Sequence, residues 1–220
     1  MTSSSTETSS SAEKATSTEH LSEKTKEGSE ENVNNFSSSV KKNIPIGTDW
    51  ASPQQHLTYG EELLQAYKYA YSLGITTIDN IDNAKMYSNL TRAQAAKMLS
   101  QFSMQVLGKT PDLSKNCEYP DVHGQGDLTE RMKTSCQLGL MGVGVPTFNP
   151  NATMTRAEFG TVLSRALWGN TYEQQEGNYY TTHLQQLQKA GIMNNISTPS
   201  SKEVRGYVML MLMRTGQEVL

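Results

Sequence analysis

Three arginines are the side chains of this 220-residue chain best suited to act on a partner. Arg92, Arg156 and Arg205 each stand at the start of an expected helix. There a guanidinium offers a planar fork to a carboxylate, beside first-turn amides without intrahelical partners and at the positive end of the helix. Such a constellation binds an anion. The same arginines would serve equally to pair with an acid of a neighbouring segment and lock the fold, or lie in solvent. Asp121 has two readings as well: a contact to a sugar hydroxyl, or the anchor of a turn before a helix. Trp168, close in sequence to Tyr172, Tyr179 and Tyr180, offers an aromatic face that suits a sugar ring and would also plug a seam. Cys117 and Cys136 lie 19 residues apart. They are either two buried thiols or a disulfide. Closing that loop would contribute roughly 3 kcal/mol and would require an oxidising, exported setting.

Other chemistry has no support in the residues. There is no P-loop, no Gly-rich dinucleotide fingerprint and no Gly-x-Ser-x-Gly elbow. No Cys-x-x-Cys occurs, and His20, His56, His123 and His183 are scattered, so no metal site is expected. Asp79 to Asn83 carries oxygen ligands without the calcium-loop spacing. Gly142 to Pro146 follows no strand pattern and reads as loop. No paired carboxylates or nucleophile with its base stand out. The expectation is a binding module without catalysis and without a cofactor.

The elements that must carry these residues repeat along the chain. Three stretches align on a glycine: Leu73-Gly74-Ile75, Leu138-Gly139-Leu140 and Ala190-Gly191-Ile192. Upstream of the first, Leu63, Tyr67, Ala70 and Tyr71 fall at i, i+4, i+7 and i+8, one stripe along a helix. The equivalents are Leu128, Met132, Ser135 and Cys136 in the second, and Tyr180, Leu184, Leu187 and Gln188 in the third. Each glycine suits the left-handed residue that closes a helix. A second helix starts 14 to 18 residues on. Thr91 with Gln94, and Thr155 with Glu158, form capping boxes: the Thr oxygen accepts from the amide three residues on, and the N3 side chain reaches back. The third start, Val204-Arg205-Gly206-Tyr207, keeps the arginine and loses the Thr and the acid. The run Val208 to Met213 suggests a helix buried nearly all round. Three helix–loop–helix copies predict an all-α domain of about six main helices, packed together because no pair can bury its stripe alone.

These residues resemble the S-layer homology family. The second copy matches best, with Tyr119-Pro120-Asp121-Val122, Gly139-Leu140-Met141-Gly142, Phe148-Asn149-Pro150-Asn151, Met154-Thr155-Arg156-Ala157-Glu158-Phe159 and Leu163-Ser164-Arg165. The first is degenerate, with Met86-Tyr87-Ser88 where Phe-x-Pro belongs, and the third keeps Ala190-Gly191-Ile192-Met193 and Arg205. The resemblance implies a pseudo-threefold spindle with grooves between repeats. It implies non-covalent anchoring to the cell envelope through cell-wall polysaccharide bearing acidic groups, with Arg92, Arg156 and Arg205 as the matching binding residues. It also favours the disulfide. The alternative is a structural module that assembles with surface-layer protein and binds no glycan.

Composition sets the frame. Residues 1–42 hold 18 Ser or Thr, seven Glu and five Lys and almost no large apolar side chains, so they are expected to be a disordered spacer. Residues 43–55, with Pro45, Gly47 and Pro53, read as a turn-rich linker. The domain is expected over 56–220, with repeats of about 56–112, 113–170 and 171–220. It balances 14 basic against 14 acidic groups, which leaves no electrostatic footprint for nucleic acid. No apolar run approaches the ~20 residues that insert in a membrane. No signal peptide opens the chain, so a surface protein is expected to have its true start upstream of Met1, with this chain as its C-terminal part.

Overall fold

Gly74, Gly139 and Gly191 take φ of 65°, 75° and 70°, the left-handed region that side chains resist. At each the chain closes the preceding helix in the same way. Gly74 donates to Tyr71 and Ile75 to Ala70, Gly139 to Cys136 and Leu140 to Ser135, Gly191 to Gln188 and Ile192 to Leu187. The second bond of each pair spans five residues, the signature of a Schellman closure.

A computed structural model describes residues 51–218 of the chain. The expected spacer 1–42 and most of the linker lie outside the described residues. Seven helices occur among the described residues, and no strand. In chain order they are α1 (Pro53–Tyr59), α2 (Glu61–Ser72), α3 (Arg92–Gln105), α4 (Asp127–Gln137), α5 (Arg156–Trp168), α6 (Thr181–Lys189) and α7 (Arg205–Glu218). The extra element is α1, which takes over the end of the expected linker: Ser52 caps it in a full capping box with Gln55, and Pro53 opens it. The all-α expectation holds.

Apart from α1 on α2, the main helix pairs run across the copies rather than within them. α3 of the first copy packs on α4 of the second, α5 of the second on α6 of the third, and α7 of the third returns to α2 of the first. The apolar stripes explain the pairing. Ala95, Met98, Leu99 and Phe102 are buried on α3, Phe159, Leu163 and Ala166 on α5, and Val208, Met209, Met211, Leu212 and Met213 on α7. Where the stripes of the first and third copies end, Tyr71 and Gln188 are instead exposed.

The circuit closes at the starts of the second helices. The Leu90 amide donates to Glu203, the Glu203 amide to Met154, and the Met154 amide to Leu90. Isolated bridges join Asn89 to Val204, Thr91 to Thr153 and Thr155 to Lys202 around this point. Each copy therefore holds the other two through backbone alone, and the link from Leu90 to Glu203 joins the first copy to the third.

The second copy carries a covalent tie. Cys117 and Cys136 are bonded, with Cα atoms 5.9 Å apart, and both side chains are buried. The bond fastens the segment before α4 to the end of α4.

Candidate ligand grooves between the copies

The helix starts fix the arginines. Thr91 accepts from the Gln94 amide and Gln94 accepts from the Thr91 amide, and the Thr155–Glu158 box at α5 is built the same way. Val204 has no side-chain acceptor, so α7 begins without such a box. All three starts nevertheless place Arg at the first helical position.

The amides beside those arginines are not free, contrary to the sequence-based expectation. Arg92 and Ala93 donate their backbone N–H groups to Ala152 and Pro150, Arg156 and Ala157 to Ser201 and Pro199, and Arg205 and Gly206 to Ser88 and Met86. Each helix start thus spends its first amides on the loop of the next copy. The residue after each arginine is small: Ala93, Ala157 and Gly206. A Cβ on Gly206 would lie 3.0 Å from the Met86 carbonyl oxygen and 3.2 Å from its Cβ.

The guanidinium groups follow their amides into the same loops. Arg92 donates from Nε to the Phe148 carbonyl at 2.8 Å, and its guanidinium lies over the Phe148 ring, 5.4 Å from the centroid. Arg156 donates from Nε to Glu203 Oε1 at 2.5 Å and from Nη1 to Thr198 at 2.9 Å. Arg205 donates from Nη1 to the Ala84 carbonyl. Burial lowers the pKa of Arg205.

Asp121 anchors a turn. Its carboxylate accepts from the Phe148 amide at 2.9 Å and the Asn149 amide at 2.7 Å. The Phe148 bond is the main reason its pKa is lowered, with the Arg92 charge a smaller contribution. Asp121 and Arg92 thus grip one loop from two sides, and Phe148 sits between them fully buried, edge-on to Tyr119. Trp168 ends α5, half-buried, with Tyr172 edge-on at 5.4 Å.

Among the described residues, two of the cavities open where copies meet. One, of about 260 Å³, is lined by Arg156, the segment Ile192–Asn195, Glu203 and, on α7, Tyr207 and Arg214. The other, of about 230 Å³, is lined by Arg205, the segment Ile75–Ile78, Gln94, Lys97 and Asp127. They correspond: each joins the first residue of a second helix to the loop after the next copy's glycine. Trp168 and Asp121 line neither cavity.

Several of these residues left no sequence signal. Glu203 is 1% exposed and, from the third copy, pairs with Arg156 of the second. It precedes the helix, where no capping rule looks for it. Lys97 pairs with Asp127 at 3.0 Å, and Arg214 forks onto Glu62 Oε1 at 2.9 and 2.6 Å. A buried cluster also lies under α6. His183 Nδ1 is 2.9 Å from Ser164 Oγ, and its Nε2 is 3.5 Å from Glu173, which pairs with Arg165. Burial lowers the His183 pKa, and the bond from Arg165 chiefly lowers that of Glu173. Ser164 and His183 are both 0% exposed, whereas the Arg165 and Glu173 side chains are partly exposed. No group of three or more potential metal ligands occurs among the described residues. Among them, no helix is long and apolar enough to cross a membrane.

Residues 132–159 match the family model of the S-layer homology domain. That stretch runs from the middle of α4, through Cys136 and the Gly139 closure, to the Thr155–Glu158 capping box and Arg156. No curated protein matches the chain.

Proposed function

We propose, from the premise that this chain carries an S-layer homology domain, that it attaches a surface protein to the cell envelope by holding acidic cell-wall polysaccharide in the grooves between its copies. The S-layer homology domain is a cell-wall anchoring module rather than a catalytic one, and it marks a protein of the cell surface. The closed circuit of helix pairs supports three copies arranged as a spindle.

The observation that carries the glycan reading is the pair of corresponding cavities, each with an arginine at its wall beside hydroxyl and amide side chains. Guanidinium, amide and hydroxyl groups together match a polymer of hydroxyls and carboxylates. The Cys117–Cys136 bond agrees with an exported protein.

Co-sedimentation of the full chain with protein-stripped envelope polysaccharide tests this reading. The expected result is saturable binding that soluble polymer competes away. A folded chain that stays in the supernatant would overturn the glycan reading and favour assembly with surface-layer protein.

A further inference from the structure

The copy boundaries are alike in backbone and unlike in charge. At the Arg156 cavity each cation has an acid of its own. Arg156 pairs with Glu203, and the two side chains are 13% and 1% exposed, while Arg214 pairs with Glu62. Arg92 also lies within electrostatic reach of a carboxylate, that of Asp121. Arg205 differs. Its partner is the neutral Ala84 carbonyl, and no carboxylate pairs with it among the described residues.

A half-buried guanidinium without a counter-charge has lost part of its hydration with nothing ionic in return. An incoming anion would restore that balance and gain charge-assisted hydrogen bonds. The cavity beside Arg205 adds Thr76, Thr77, Gln94 and the Lys97 ammonium, and the acid that holds Lys97, Asp127, is itself an exposed rim residue. At Arg156 the same approach meets the buried Glu203 carboxylate, which both spends the guanidinium and repels a second anion.

We infer that the acidic group of the envelope polymer is received by the Arg205 cavity, and that Glu203 bars it from the Arg156 cavity, which is left to neutral, hydroxyl-bearing parts of the chain. This inference rests on the glycan reading above.

The test uses the full chain and two probes: protein-stripped envelope polysaccharide, and the same polymer with its carboxylates converted to neutral amides by carbodiimide and ammonia. Wild type, Arg205→Gln, Arg156→Gln and Glu203→Gln are titrated with both, each after its melting transition has been checked. Wild type should prefer the native polymer at least tenfold. Arg205→Gln should erase that preference, Arg156→Gln should keep it, and Glu203→Gln should gain a second class of acid-dependent site. A preference that survives Arg205→Gln, or vanishes in Arg156→Gln, overturns the inference. Should Arg205→Gln fail to fold, Glu203→Gln decides, since no gain of acid-dependent binding overturns the role of Glu203. Wild type that binds both polymers equally sinks this inference and leaves anchoring intact, whereas wild type that binds neither sinks the anchoring reading itself.

Discussion

The second and third copies reach the same backbone by different means. The second is held largely by devices internal to the copy: a disulfide across 19 residues, a capping box at α5, and Asp121 accepting from the Phe148 amide. The third has none of these. Its α7 begins at Val204-Arg205 without a polar cap, and it is held by Glu203 on Arg156, Arg214 on Glu62, and backbone bonds to Ser88 and Met86. A degenerate sequence motif is therefore not a loose structure. The third copy lacks the local caps, keeps the backbone bonds to a neighbour that all three helix starts make, and adds the pairs of Glu203 with Arg156 and of Arg214 with Glu62.

The comparison can be broken most forcefully at Glu203. Replacing it by Ala leaves Arg156 at 13% exposure without its counter-charge, and removing one partner of a buried pair costs about 3–5 kcal/mol. Denaturant unfolding should show that loss, with Glu203→Gln losing less because it keeps an acceptor for Arg156. A loss no larger than that of a surface substitution would mean that the third copy does not depend on its neighbour. The matching test of the second copy is Cys117→Ser with Cys136→Ser. Opening the loop should cost roughly 3 kcal/mol, and amide exchange should rise first around α4 rather than around α7.

The capping contrast gives smaller effects of opposite sign. Thr155→Ala removes an oxygen that accepts from the Glu158 amide and should cost ~1 kcal/mol. Val204→Thr keeps the branched shape and supplies the missing acceptor three residues before Tyr207, so it should raise stability by roughly 0.5 kcal/mol. Thermal melts of the two single variants would read both changes, and a loss in the second would show that α7 has no place for a local cap.

The gentlest effect is a pH dependence in the third copy. His183 is buried and its pKa is lowered, chiefly by desolvation. The unfolded chain takes up a proton near the ordinary histidine pKa of about 6.5, and the folded chain resists it. Stability should therefore fall as pH drops below about 6.5. Glu173 has a lowered pKa for the opposite kind of reason, its bond to Arg165. Its contribution is present above the ordinary carboxylate range and is lost only on further acidification. His183→Gln should flatten the stability profile between pH 7 and 5 and leave the lower limb in place. An unchanged slope between pH 7 and 5 would remove His183 from this account.

What could be read in the sequence was what lies within a few residues of its own cause. Gly74, Gly139 and Gly191 announce their helix closures because each closure is made by bonds spanning three and five residues. Thr91 and Thr155 announce helix starts because the acceptor and donor of a capping box are three residues apart. The arginines could be found by alignment, but their roles could not. Arg156 and Glu203 are 47 residues apart, Arg92 and Phe148 are 56 apart, and Arg205 reaches back 121 residues to Ala84. No periodicity links such positions.

By itself, then, the sequence determined that the domain is helical, where the first helix of each copy closes and the second begins, that it repeats, and which family it resembles. Hydrogen bonds inside one turn and apolar spacing along one helix suffice for that. Only the tertiary structure decided which helices pair, where the first-turn amides are spent, and which arginine is left without an acid. Those outcomes depend on closing a circuit in which residues 90, 154 and 203 meet, and the charge at each boundary is the sum of side chains brought from distant parts of the chain.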